Sequence, residues 1–169
     1  MATGKTIGTI RVDTVPIAIR EEILDKILAY SESTLSGEIG GFLIGRLRGE
    51  PSVVVVENFL PAEHTRSRTV SLTFTHQTWA TMTRQVEQRF PQQQVVGWHH
   101  THPGLGIFLS AQDLFIHRNF FREPWQVAMV VDPRGHELGF FQWSGSEVVD
   151  CGFISLAESS QPLVESPRQ

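Results

Sequence analysis

The chain has 169 residues, 40% of them hydrophobic, and 14 basic against 18 acidic side chains give it a formal charge of −4. That length suits one domain with enough core to fold without disulfides. The scattered charges lack the basic stripe of a nucleic-acid binder, and the single cysteine, Cys151, excludes an internal disulfide and any cysteine-rich zinc site. With no apolar leader core at the N-terminus and no run long enough to span a membrane, the expectation is a soluble cytoplasmic protein without nucleic-acid or membrane partners.

Ile7 to Val12 reads as a short strand. Ile19, Ile23, Leu24, Ile27 and Leu28 follow at helical spacing, with Pro16 near a helix start, which predicts an amphipathic helix to about Ser31. Gly40 to Gly45 and Ser52 to Phe59 are β-rich runs on either side of Arg48-Gly49-Glu50-Pro51, a hairpin pattern. Within it, Val53 to Val56 should be buried on both faces. A polar loop from Pro61 to Arg68 leads to a strand at Val70 to Thr75, and Trp79, Met82, Val86 and Phe90 mark a second helix. Val95 to Trp98 reads as a buried strand that runs straight into His100 and His102. A third helix begins near Ser110 and carries Leu114, Phe115, Phe120 and Phe121 before Pro124. Strands at Trp125 to Val131 and Leu138 to Trp143 flank the turn Asp132-Pro133-Arg134-Gly135, and a final β run covers Val148 to Leu156. Residues 1–157 thus read as a single layered α/β domain with a mixed central sheet flanked by helices. Residues 158–169, polar and with two prolines, read as a flexible tail.

The segment His100-Thr101-His102-Pro103, with Ser110-Ala111-Gln112-Asp113 after it, carries the most chemistry. Strand side chains two apart share a face, so His100 and His102 can aim at one point while Thr101 faces away. Asp113, near the start of the next helix, could complete an N,N,O set, and three protein ligands leave a tetrahedral position for water, as in catalytic zinc sites. A plainer reading stands beside it. Ser110-x-x-Asp113 before an apolar run is also a capping box, a role compatible with metal binding, and an H-x-H pair alone is a weak motif.

Taken whole, Val96 to Asp113 resembles the signature of the JAMM, or MPN-plus, metalloprotease family: H-x-H-P, six residues, then S-x-x-D. Glu38-Ile-Gly-Gly-Phe-Leu-Ile-Gly45 is similar to the context of that family's upstream glutamate, and the strand end Val130-Val131-Asp132-Pro133 is similar too. The likeness runs from about Ile7 to Leu156. It implies an MPN-like (cytidine-deaminase-like) domain with one Zn²⁺ per chain held by His100, His102 and Asp113. It further implies Glu38 as general acid/base and Ser110 as a donor to the oxyanion. His99 stands where many relatives carry tyrosine, should face away from His100 and His102, and is not counted as a ligand.

The activity implied is hydrolysis of the peptide or isopeptide bond at the C-terminus of ubiquitin, a ubiquitin-like protein or a sulfur carrier, by zinc-activated water. A non-catalytic scaffold or interaction module of the same fold is the alternative. His117 shares a helix face with Asp113, and is expected to be a half-buried polar residue rather than a support for the ligands. His64, His76 and His136 are expected to be solvated. Leu105, Ile107, Phe108 and Leu109 would wall a substrate channel or pack under the helix, with packing the default. The oligomeric state is left open.

Overall fold

The computed structural model describes residues 3–68 and 71–157; the predicted tail, and Val70 at the start of a predicted strand, lie outside them. Strand β1 (Thr3–Ile7) is followed by β2 (Ile17–Arg20) and helix α1 (Glu21–Ser31), then by the hairpin β3 (Gly40–Arg48) and β4 (Val53–Pro61). Two short strands, β5 (Arg66–Arg68) and β6 (Ser71–Thr73), precede helix α2 (His76–Arg89). Next come β7 (Gln94–Thr101), α3 (Ala111–Phe120), β8 (Val127–Asp132), β9 (Glu137–Ser144), β10 (Glu147–Cys151) and β11 (Phe153–Ala157).

Among the described residues, nine strands form one mixed sheet in the order β1-β11-β2-β4-β3-β7-β8-β9-β10. β10 and β11 lie one residue apart in sequence yet far apart in that order, so the sheet curls on itself. Gly152 makes the passage: its N–H donates to the Thr9 carbonyl at 2.9 Å, and a Cβ there would lie 2.6 Å from the Ile7 oxygen. The single β run predicted over Val148 to Leu156 is therefore two strands.

The predicted first strand and first helix also shift. β1 ends at Ile7, where Gly8 turns with φ 77°. Ile17 to Arg20 forms a strand rather than a helix start, because Ile17, Ala18 and Ile19 pair in parallel with Val54 to Val56 on one side while Ala18 to Arg20 pair with β11 on the other. A strand buried on both faces is continuously apolar and imitates the end of a helical stripe.

Side chains alternate between two cores. On one face Leu43, Val54, Val56, Met129 and Phe140 pack against Ile23, Leu24 and Ile27 of α1. On the other, Phe42, Ile44, Trp98, Val130 and Phe141 pack against Met82 of α2 and Ile116 of α3. The β3–β7 register slips by one residue at Val96, opposite Leu43 and Ile44, a bulge that sends Val96 and Trp98 into different cores. No helix among the described residues is long and apolar enough to cross a membrane.

Candidate metal centre

Two glycines bring the acidic and imidazole groups together. Gly40 pairs with His100 and Gly41 with His99 across β3 and β7. A Cβ on Gly40 would stand 2.2 Å from the His99 carbonyl oxygen, so only glycine allows the strands this close. Just before Gly40, the Thr101 N–H donates to the Ile39 carbonyl at 2.9 Å, and the Ile39 N–H to the Thr101 hydroxyl at 3.0 Å. Glu38 is thereby held over the exit of β7. On the other side, the His102 N–H donates to the Val131 carbonyl at 2.8 Å, which continues the β7–β8 ladder one residue past the strand.

His100 and His102 turn their Nε2 atoms to within 3.1 Å of each other. Asp113 Oδ2 lies 3.0 Å from the first and 3.1 Å from the second. Glu38 Oε2 is 3.9 Å from His102 Nε2, and all four side chains are buried. The structure thus gathers His100, His102, Asp113 and Glu38 at one point, with Ser110 beside them. Ser110 is the N-cap of α3: its hydroxyl oxygen accepts from the Asp113 N–H at 3.1 Å, while its own N–H donates to Asp113 Oδ2 at 2.9 Å. The capping box and the His100–His102–Asp113 triangle share one carboxylate oxygen.

The donor set fits a divalent cation. Bonds of 2.0–2.1 Å in a tetrahedron set ligand atoms about 3.3–3.4 Å apart, and the three edges here are 3.0, 3.1 and 3.1 Å. His102 Nδ1 lies 3.2 Å from the Gly106 carbonyl. A proton on Nδ1 satisfies that contact and leaves the Nε2 lone pair facing the other two donors. Lone pairs and a carboxylate crowded together out of water repel unless a cation lies among them. The protonation of these groups is set by burial and by their contacts with one another. Burial pushes Glu38 up to about 7, with Asp113 adding to the rise and His102 opposing it. Burial would also raise Asp113, yet its bonds to His100 and His102 hold it far below the usual carboxylate range. Burial outweighs Asp113 at His100, whose pKa falls; at His102 burial is outweighed by Asp113 and Glu38, and the pKa rises.

Comparison with known proteins fits this geometry. The family described as JAB1/Mov34/MPN/PAD-1 ubiquitin protease matches residues 13–123. The chain belongs to this MPN family. Among its relatives are the ubiquitin carboxyl-terminal hydrolase RPN11 of Saccharomyces cerevisiae, 32% identical over 131 residues that cover 76% of this chain and 42% of that protein. COP9 signalosome complex subunit 5 of Caenorhabditis elegans is 33% identical over 98 residues, 57% of this chain and 26% of that protein. The MPN domain described here thus spans less than half the length of these relatives. The solution structure of protein DSY2949 from Desulfitobacterium hafniense shares the fold, with a TM-score of 0.65 and 21% identity over 86% of this chain and 96% of that one.

Around the MPN site, the remaining histidines sort by environment. His99 faces the opposite core, its Nε2 3.0 Å from the Ser31 hydroxyl and its ring edge-on to Phe59, and takes no part in the cluster. Burial, with a contribution from His100, drives its pKa down to about 3. His64, His76 and His136 are exposed as expected. His117 departs from expectation: it is wholly buried, because α3 lays its Asp113, Ile116 and His117 face on the sheet. Trp98 Nε1 donates to His117 Nδ1 at 3.0 Å, and the Trp98 ring stacks on His100 with centroids 4.5 Å apart. His117 therefore stands behind a member of the cluster through Trp98. Packing accounts for Ile107 and Leu109, whereas Leu105 and Phe108 are 46% and 44% exposed and the Phe108 ring lies against His102, centroids 4.6 Å apart.

Sequence reasoning missed the support from Asp132. Its carboxylate accepts the N–H groups of Gly104, Gly106, Arg134 and Gly135 at 2.8–3.0 Å. Asp-Pro-Arg-Gly signals a turn, and nothing in that local pattern announces two acceptor bonds to a loop some thirty positions earlier.

Proposed function

We propose that this MPN domain is a zinc-dependent metallopeptidase that hydrolyses the peptide or isopeptide bond following the C-terminal residue of ubiquitin or a ubiquitin-like protein, sulfur carriers included. The observation that carries the reading is the buried triangle of His100 Nε2, His102 Nε2 and Asp113 Oδ2, with edges of 3.0–3.1 Å and Glu38 beside it. The name of the yeast relative RPN11 supports the substrate class. A scaffold without chemistry would have no need of a complete donor set together with an acidic neighbour whose pKa lies near neutrality.

His100, His102 and Asp113 would hold the zinc, which when bound supplies Lewis acidity toward the scissile carbonyl and brings the pKa of water down to about 7. Glu38 takes the proton of the attacking water as the new C–O bond forms, then delivers it to the leaving nitrogen as the C–N bond breaks. A carboxyl group with a pKa raised toward neutrality is suited to both halves of that exchange. The Ser110 oxygen already accepts the Asp113 N–H, so its own proton is left to donate to the developing oxyanion. Trp98 and Gly106 hold the two imidazoles in place from behind.

The test is incubation of the zinc-loaded protein with a panel of ubiquitin and ubiquitin-like proteins bearing C-terminal extensions, with metal content measured in parallel. Glu38→Gln should retain zinc and lose about 10²- to 10⁴-fold in turnover, the usual worth of a general acid/base. Unchanged turnover removes Glu38 from the mechanism, and a protein that takes up no divalent metal at neutral pH ends the hydrolase reading.

A further inference from the structure

The turn after β8 makes more contacts than a chain reversal requires. Asp132 is 3% exposed, and both its oxygens are engaged: Oδ1 accepts from Gly104, Arg134 and Gly135, and Oδ2 from Gly106. Two of those bonds close its own turn. The other two reach Gly104 and Gly106, which adopt φ of 76° and 86°, a region glycine enters at little cost. Between them the Leu105 N–H donates to the His102 carbonyl at 3.0 Å, so His102 to Gly106 is a tight turn fixed at two points to the end of β8. Gly106 uses its N–H for Asp132 and presents its carbonyl to His102 Nδ1 at 3.2 Å. One peptide residue thus lies between the carboxylate and the imidazole.

We propose that Asp132 is a positioning residue of the metal centre: by holding the Gly104–Gly106 turn it aims the Gly106 carbonyl at His102 Nδ1, which fixes the ring and keeps Nε2 as the ligating nitrogen. The proposal rests on the reading of His102 as a metal ligand. Charge explains why an acid serves here. Four N–H groups converge on one carboxylate, and their bonds pull its pKa below the ordinary value although burial alone would raise it. An amide could accept with only one of its two ends, and its NH₂ would face the donors on the other.

The experiment measures Zn²⁺ affinity by competition with a chromophoric chelator in the parent, in Asp132→Asn and in Glu57→Gln. Glu57 serves as the control because it is another buried acid, bonded to Arg46 and Arg48 and away from the cluster. Urea stability is recorded for each protein. Asp132→Asn should weaken zinc binding by about 10- to 100-fold, the usual effect of losing a group that orients a ligand. Glu57→Gln should leave zinc affinity unchanged whatever it does to stability. Parent-like affinity in Asp132→Asn, or equal losses in both variants, overturns the positioning role while leaving the hydrolase reading intact. A parent without zinc affinity overturns both. Should Asp132→Asn fail to fold, a long-range ¹H–¹⁵N spectrum of the zinc-loaded parent decides. A proton on His102 Nδ1 supports the proposal, and zinc on Nδ1 overturns it.

Discussion

Asp113 Oδ2 belongs to two structures at once, the cap of α3 and the buried triangle. Asp113→Ala should therefore abolish tight zinc binding, whereas Ser110→Ala keeps the triangle and separates the remaining roles. Ser110→Ala is expected to cost about 1 kcal/mol of stability through the lost cap, and about 10²- to 10³-fold in kcat if its hydroxyl reaches the oxyanion. Urea melts and steady-state kinetics read the two effects independently. His99 and His117 make a pH prediction of a different kind. Burial depresses both, to about 3 and about 4, so the folded chain keeps them neutral while the unfolded chain protonates them near 6.5. The unfolded state then binds more protons below that pH. Stability is fully present above 6.5 and is lost as pH falls toward the folded values. In chelator-treated protein the urea midpoint should drop between pH 7.5 and 5, and His117→Gln should flatten that slope by about one proton's worth; an unaltered slope would mean that His117 is protonated in the fold.

At the level of elements, the β3–β7 pairing decides whether the acid and the imidazoles meet. Gly40→Ala places a methyl group 2.2 Å from the His99 oxygen, and the strand must move. Overpacking of that sort costs about 1–3 kcal/mol, and because Glu38 precedes and His100 faces this position, zinc affinity should fall with it. Gly145→Ala offers the contrast. Nothing lies within 4 Å of a Cβ there, so only the strain of φ 63° remains, at a cost of about 1 kcal/mol and without effect on zinc. The same elements show what a single chain discloses. Helices α2 and α3 announce themselves through apolar spacing and, at Ser110 and Asp113, through a cap pattern that the structure reproduces on both sides of the box. β2 was hidden because Ile17 to Ile19 extends the helical stripe of Ile23, Leu24 and Ile27, and only partners at Val54 to Val56 and Ile154 to Leu156 make it a strand. The break at Gly152 was hidden because it answers to Ile7 and Thr9, more than 140 residues away in the chain.

For the whole molecule, metal and fold should be linked. A ligand that binds only the folded chain stabilises it by about 2.7 kcal/mol at a free concentration 100 times its Kd, so chelation should lower the melting temperature and added zinc should restore it. In Asp113→Ala the melting temperature should ignore both treatments. The cluster itself was legible because His100, His102 and Asp113 lie within a short strand-turn-helix and Glu38 keeps a recognisable neighbourhood. Its supports were not. Trp98 against His100, His117 behind Trp98, and Asp132 beneath the Gly104–Gly106 turn depend on contacts across β7, α3 and β8 that no local spacing encodes. The curl of the sheet has a practical corollary. β1 runs antiparallel to β11 with Thr3 opposite Ala157, five places along the strand order from the histidine-bearing β7. A short linker could splice these two positions, and new ends could be opened at the exposed Gly49 tip between β3 and β4. Such a rewired permutant should still load zinc, and would free the Thr3–Ala157 border for attachment to a solid support.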